Sequence, residues 1–331
     1  MATTPKTDTQ HPCGYCKTTD SVILYDTTDT LGQHFFVNQC KQCNAIFLSP
    51  TPTEAQLAVA YSDEYYGERE DKFDGLIERV LDYFRTKRAA LVAKHAPKPP
   101  NGRAKVLDIG CGNGNFLKFM QQQGAFEVHG VERPGKAAQR ASKIPDATIH
   151  QGVIESQNFA PNTFDAITLF HVFEHLSEPI RTLDIIQKIL KPNGVLVISF
   201  PNIDSIQSRL FKGKWLHLDP PRHLFFFTPK DFRREMEKYG FDVLEENQFS
   251  IEYNPFGMQQ SLLNLLTKKR EVLYEHLKGN AKYTAEYSGL NLGLQRLFFQ
   301  LSYPLFILSD LVASGIGKGA TVEFVMRKRS K

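Results

Sequence analysis

The chain has 331 residues, 41% hydrophobic and 23% charged, with a formal net charge of +4. That is the balance of an ordinary globular protein, large enough for one main domain and a smaller module. So mild a charge does not imply nucleic acid, and the polar, threonine-rich start lacks the apolar core of a secretory signal. The five cysteines are accordingly expected in a reducing cytoplasm, where Cys-x-x-Cys pairs favour metal over disulfides.

Residues 1–11 read as a disordered lead-in. Two knuckles follow, Cys13-x-x-Cys16 and Cys40-x-x-Cys43, with 23 residues between them. Four thiolates in this arrangement make the tetrahedral sulfur cage of a structural Zn2+ site, so residues 12–50 are expected to form a four-cysteine zinc-ribbon with short strands over Val22–Tyr25 and His34–Asn38. So small a module has little core, and metal is expected to supply its folding energy. Thr53 is placed to cap a helix from Glu54. Leu76, Val80, Tyr83, Phe84, Ala90 and Leu91 repeat at helical spacing over residues 75–95, which makes 51–102 a helical connector ending in the Pro97–Gly102 linker.

From Ala104 the pattern alternates strand, turn and helix. Lys105–Ile109, Phe126–Val131, Thr148–His150, Phe164–Phe170 and Gly194–Phe200 are expected strands, and Phe241–Phe249 with Ala320–Met326 complete the sheet. This is an α/β pattern with a parallel sheet covered on both faces, with its core at 103–254. Residues 255–318 read as a helical insertion or lid, and 319–331 as the last strand and a basic tail. Within the insertion, Leu297–Ile316 is apolar but carries Gln300, Pro304 and Asp310. It is expected to be a buried or amphipathic helix pair rather than a bilayer span. The basic clusters Lys268–Arg270 and Arg327–Lys331 read as solvated surface.

The most informative run is Val106-Leu107-Asp108-Ile109-Gly110-Cys111-Gly112-Asn113-Gly114. A strand ends in three glycines that let the backbone turn sharply at a helix start and let a ligand approach it. Nicotinamide enzymes use similar turns. Here Asp108 stands where a cationic amino-acid ligand could meet its carboxylate, and the third-glycine spacing of a dinucleotide fingerprint is missing. Glu132 closes the next strand, placed to accept both hydroxyls of a ribose.

This constellation resembles the class I S-adenosylmethionine-dependent methyltransferases, specifically the ubiquinone-type O-methyltransferase group. The resemblance is carried by the glycine run, by Glu132, by Phe164-Asp165-Ala166-Ile167 with Phe173-Glu174-His175-Leu176, and by Leu190-Lys191-Pro192-Asn193-Gly194. It implies a Rossmann-like seven-stranded sheet with S-adenosyl-L-methionine across the strand ends, contacted by Asp108, Gly110, Gly112 and Glu132. Cys111, Gly114, Arg133 and Phe170 complete the expected cofactor site. An adenine-contacting acid is replaced near Gly152-Val153, which leaves Glu155 or backbone groups for that work. The Tyr61–Tyr66 stretch, with the ribbon, is expected to pack over the cofactor entrance or the acceptor cleft.

His171-Val172-Phe173-Glu174-His175 matches an inverted zinc-protease signature, but it follows a strand and is not on a helix, the next of which is expected from Ser177 as cap. In a methyltransferase His171 is a candidate general base for an acceptor hydroxyl. Glu174 and His175 either order the loop or hold a divalent metal. His223, in the proline-stiffened Trp215–Phe226 segment, either lines the acceptor pocket or is a satisfied structural histidine. The expected acceptor is a small molecule, saccharide or lipid-linked compound, with possible peripheral membrane contact. The rivals are a zinc-ribbon RNA methyltransferase and an inactive binding module. Residues 1–60 hold three lysines against five acids, a net of −2, which argues against RNA.

Overall fold

The structure is a computed structural model and describes residues 7–8, 11–61 and 75–330. Most of the lead-in and the Tyr61–Tyr66 stretch beyond Tyr61 lie outside the described residues, although Thr7–Asp8 forms a short strand. In chain order the elements are β1 (Thr7–Asp8), β2 (Ser21–Thr28), β3 (His34–Cys40), β4 (Ile46–Ser49), α1 (Glu54–Ala60), α2 (Gly75–His95), β5 (Ala104–Ile109), α3 (Asn115–Gln122), β6 (Phe126–Glu132), α4 (Lys136–Ala141), β7 (Ala147–Gln151), β8 (Phe164–Phe170), α5 (Pro179–Ile189), β9 (Leu190–Pro201), α6 (Ile206–Phe211), β10 (Phe225–Phe226), α7 (Pro229–Lys238), β11 (Phe241–Asn247), α8 (Asn254–Leu266), α9 (Val272–Leu277), α10 (Ala281–Thr284), α11 (Gly289–Gly315) and β12 (Thr321–Lys328). They group into two compact units. One draws on the described parts of residues 62–200, 233–246 and 323–331, the other on those of 1–61, 201–232 and 247–322.

The first unit holds the seven-stranded sheet, in the order β11-β12-β9-β8-β5-β6-β7. Strands β5 to β9 pair parallel, with Asp108 opposite Gly130 and Thr168. Parallel strands are covered on both faces, and β5, β8 and β9 accordingly read as near-continuous buried runs. Val106, Val128, Ala166, Val195 and Val197 form the core with Leu117 and Met120 from α3 and with Ala89 and Val92, one helical turn apart on α2. Every strand expected from Ala104 onward is present, and that expected at Gly194 begins earlier, at Leu190. Ser177 does not cap the helix after β8. Pro179 occupies its first turn and Glu178 the cap position without a side-chain bond, because proline's fixed φ starts the helix unaided.

The second unit is built on an antiparallel sheet in the order β1-β2-β3-β4-β10. Its last strand comes from far along the chain: Phe225 pairs with Phe47 and Phe226 with Ile46. Phe35, Val37 and Leu48 of the ribbon share one core with Phe211, Trp215, Leu218 and Phe226. The ribbon thus borrows apolar support from distant segments, beside whatever a metal would add. Thr53 caps α1 in a reciprocal capping box with Gln56.

Two surface expectations are also corrected. Arg270 is buried, and donates from Nη1 to Thr27 Oγ1 at 2.9 Å and the Gly213 carbonyl at 2.6 Å, and from Nη2 to the Trp215 carbonyl at 2.9 Å. In the sheet unit Lys328 is likewise buried, with Nζ on the Leu190 carbonyl at 2.6 Å. Buried oxygens, most of them main-chain, accept from both cations and offset the cost of taking the charges out of water. Leu297–Ile316 is not a helix pair. It belongs to the single 27-residue helix α11, which runs through Pro304.

Candidate active site

The strand ends of the parallel sheet assemble the site. The chain leaves β5, steps outward to β6 and β7, then returns to β8 on the other side of β5. The ends of β5 and β8 therefore lie at a switch in strand direction, where open α/β sheets bind ligands. After β5 the backbone folds back on β6: the Gly110 and Cys111 amides both donate to the Val131 carbonyl, at 2.8 and 3.1 Å. Gly110, Gly112 and Gly114 all have positive φ, which only glycine takes without strain. A side chain at Gly110 would strike Val172 and one at Gly114 would strike Ile144, whereas nothing lies within 4 Å of where one would project at Gly112. Gly112 is thus the open member of the cradle.

Two buried carboxylates flank this turn. Glu132 accepts the Gly112 amide at 2.7 Å and the Arg133 amide at 3.0 Å. Burial raises its pKa, and those two amides oppose the rise. Each carboxylate oxygen keeps a lone pair for a further donor. Asp108 accepts the Thr168 hydroxyl at 2.7 Å. Burial pushes it up to about 7, against the Thr168 bond, with the Glu132 charge adding to the rise and Arg88 lowering it. Two acids so placed favour a cationic ligand carrying hydroxyl donors. Asn113 Oδ1, in the same turn, is buried without a hydrogen-bond partner among the described residues.

Cys111 is buried in the turn, and its sulfur occupies the space a side chain at Gly130 would need. Phe170 ends β8, edge-on to Phe116 at 5.0 Å, with the Arg88 guanidinium 5.3 Å over its ring. Arg133 is exposed. Glu155 lies in a helical turn after β7, and its Oε1 accepts the Thr182 hydroxyl. Sequence reasoning missed Thr168, Arg88 and Asn113. A polar residue within the apolar run Ala166–Phe170 was the one available signal for Thr168.

His171 follows β8 in a left-handed conformation, held by its amide on the Ser199 carbonyl at 2.9 Å. Its Nδ1 lies 3.5 Å from Oε1 of the fully buried Glu174. Glu174 and His175 sit in a single 3-10 turn, not on the α-helix that the inverted zinc-protease signature needs, and a ligand atom of each lies within 4.8 Å of the other. His223 belongs to the other unit. It is buried, with Nδ1 at 2.8 Å from the His217 carbonyl, which assigns the proton to that nitrogen.

Within that second unit the four cysteines converge. Cys13 Sγ lies 3.7 Å from Cys43 Sγ, Cys16 Sγ lies 3.5 Å from Cys40 Sγ, and all four sulfurs fall within 4.8 Å of one another. Four sulfurs about 2.3 Å from a central zinc would stand about 3.8 Å apart, whereas a disulfide needs about 2.05 Å. Amides of Tyr15, Gln42 and Cys43 point at the Cys13 and Cys40 sulfurs, at 3.4 to 3.5 Å. The donor set fits zinc.

A family model described as a methyltransferase domain matches residues 76–246, just over half the chain. The ubiquinone biosynthesis O-methyltransferase of Dinoroseobacter shibae is 26% identical over 200 residues, which cover 55% of this chain and 77% of that protein. The protein of the same name from Vibrio cholerae is 27% identical over 166 residues, covering 46% of this chain and 66% of its own length. The solved phosphoethanolamine N-methyltransferase 2 of Haemonchus contortus, in complex with S-adenosyl-L-methionine, is 16% identical with a TM-score of 0.47, covering 74% of this chain and 53% of that one. The fold and the glycine turn define a Rossmann-like methyltransferase. The chain belongs to the methyltransferase-domain family and is a class I S-adenosylmethionine-dependent methyltransferase.

Proposed function

We propose that the chain transfers a methyl group from S-adenosylmethionine to an oxygen of a small-molecule, saccharide or lipid-linked acceptor. The observation that carries this reading is the pair of buried acids, Asp108 and Glu132, around the open Gly112. Asp108 would meet the cofactor's α-ammonium and Glu132 its ribose hydroxyls, while Asn113 Oδ1 supplies a further acceptor. Gly110, Cys111 and Gly114 shape the turn, and Phe170 with the backbone near Gly152 borders it. When bound, S-adenosylmethionine would supply a methyl group activated by its sulfonium, with the neutral thioether S-adenosylhomocysteine as leaving group, so the protein's work is mainly positioning and water exclusion. His171 would take the proton from an acceptor hydroxyl, and Glu174 would orient and stabilise the imidazolium formed. Two relatives named as O-methyltransferases support oxygen as the methylated atom. Cys13, Cys16, Cys40 and Cys43 would hold one structural zinc.

Isothermal titration with S-adenosylmethionine and S-adenosylhomocysteine tests the site. Micromolar binding that is lost in an Asp108→Ala, Glu132→Ala double variant is the expected result, and no binding by folded wild-type protein sinks the reading. A panel of hydroxyl acceptors, read by mass of the product, then tests oxygen as the target. In that assay His171→Ala should lower kcat by about 100-fold or more while leaving cofactor affinity intact.

A further inference from the structure

The helical part of the second unit presents an apolar surface that the proposed chemistry does not use. Helix α11 is long and apolar enough, by length and composition, to cross a bilayer. It lies antiparallel against α8: Asn254 Nδ2 bonds Asp310 Oδ1 at 2.8 Å near its C-terminal end, and Gln259 Nε2 bonds the Phe299 carbonyl and Ser302 Oγ at 2.8 Å further back. Asp310, its single carboxylate, is therefore turned inward and buried. The other side carries Leu290, Leu294, Leu297, Leu301, Leu305 and Leu308, between 48% and 76% exposed, and Leu311, Val312 and Ile316 continue it. Leu265 and Leu266, at the end of α8, are 57% and 83% exposed and widen the surface onto the neighbouring helix. Monomeric soluble proteins seldom leave more than a few hundred Å² of contiguous apolar surface in water.

We propose that this α8–α11 face docks on the surface of an anionic lipid bilayer, with α11 lying flat in the headgroup region over a length of about 40 Å. Charge selects this occupant. Lys268, Lys282 and Arg296 are exposed and have no ion-pair partner among the described residues. The exposed acid of these segments, Glu286, is paired with Lys269 at 2.8 Å. The unneutralised charge of these helical segments is thus all positive, which complements anionic headgroups. A second copy of the chain fits less well. A two-helix seam wants a narrow stripe flanked by charges of both signs, whereas here Pro304–Leu305 and Leu311–Val312 broaden the stripe and Asn291, Gln300 and Ser309 flank it. Spanning is disfavoured, because the inner side of α11 is tied to α8 through Asp310, Ser302 and the Phe299 carbonyl, and insertion would break those bonds.

Flotation of the full chain with vesicles tests the proposal. The wild type should float with phosphatidylcholine vesicles carrying about a third phosphatidylglycerol, and bind them roughly 100-fold tighter than phosphatidylcholine alone. A Leu301→Glu, Leu305→Glu, Leu308→Glu variant should stay in solution. A Lys268→Glu, Lys282→Glu, Arg296→Glu variant, which touches no buried side chain, should lose the preference for anionic vesicles and serves if the leucine variant fails to fold. No flotation of the wild type with anionic vesicles overturns the proposal. So does a wild-type dimer in ultracentrifugation that the leucine variant converts to monomer, since the face would then belong to a second copy. Neither result bears on the cofactor site, whose test is binding of S-adenosylmethionine.

Discussion

Replacing Asp108 with asparagine should stabilise the cofactor-free protein while destroying its cofactor site. The carboxyl has an ordinary value of 3.8 and is held at about 7 by burial. That difference corresponds to about 4 kcal/mol of disfavoured charge in the native state at and above pH 7. The sign follows from where the proton sits. Below about pH 4 Asp108 is protonated in both folded and unfolded chains, and asparagine changes little. Between about 4 and 7 the native state keeps a proton that the unfolded chain has lost, so wild-type stability falls as pH rises. Above 7 the full penalty is present. Asparagine keeps an acceptor for the Thr168 hydroxyl and carries no charge, so the gain of the variant over wild type should grow from near zero at pH 4 to as much as about 4 kcal/mol at pH 8. In a unit of this size that is roughly 8–16 °C in Tm. Burial also raises Glu271 to about 7 and Asp310 to about 6, but both are present in each protein and cancel in the difference. Paired thermal melts from pH 4 to 8 measure it, with S-adenosylmethionine titrations alongside. A cationic ligand favours ionised Asp108, so wild-type affinity should rise about tenfold per pH unit on the acid side of 7, and the variant should lack that slope. A variant that melts below wild type at pH 8, or a difference flat with pH, would refute the reasoning.

Gly112→Ala should cost about 1–2 kcal/mol of stability from its left-handed backbone, yet fold, since nothing crowds the new methyl. Its cofactor affinity in titration should fall at least about tenfold, because the methyl fills the open cradle. Arg270→Met removes the guanidinium's bonds to three oxygens and should destabilise by about 3–5 kcal/mol in urea melts, with Arg270→Lys recovering only part, since one ammonium cannot span the same fork. Elemental analysis should find one zinc per chain, absent in Cys40→Ser. Chelation should lower the melting temperature without abolishing the β3–β4 pairing, which the shared Trp215 core supports.

The sequence alone made the glycine-rich turn and its flanking acids legible, because their determinants are local. Three glycines after an aliphatic strand, an acid two residues before them and another closing the next strand are set by backbone freedom and strand alternation over thirty residues. The two cysteine knuckles are legible for the same reason: the ligand spacing within each is short. That Glu174–His175 is not on a long α-helix followed from its place directly after a strand. What the sequence left undetermined depends on which distant segments meet. That Phe225–Phe226 extends the ribbon sheet, that Arg270 turns inward to three oxygens, and that Thr168 steadies Asp108 all rest on pairings between residues 55 to more than 240 positions apart. Local periodicity carries no record of such partners. Helix α11 shows the same limit most plainly. Its leucines repeat at a spacing that suits a core, a seam or a lipid surface, and only the inward bonds of Asp310 and Gln259 decide that the leucines face outward.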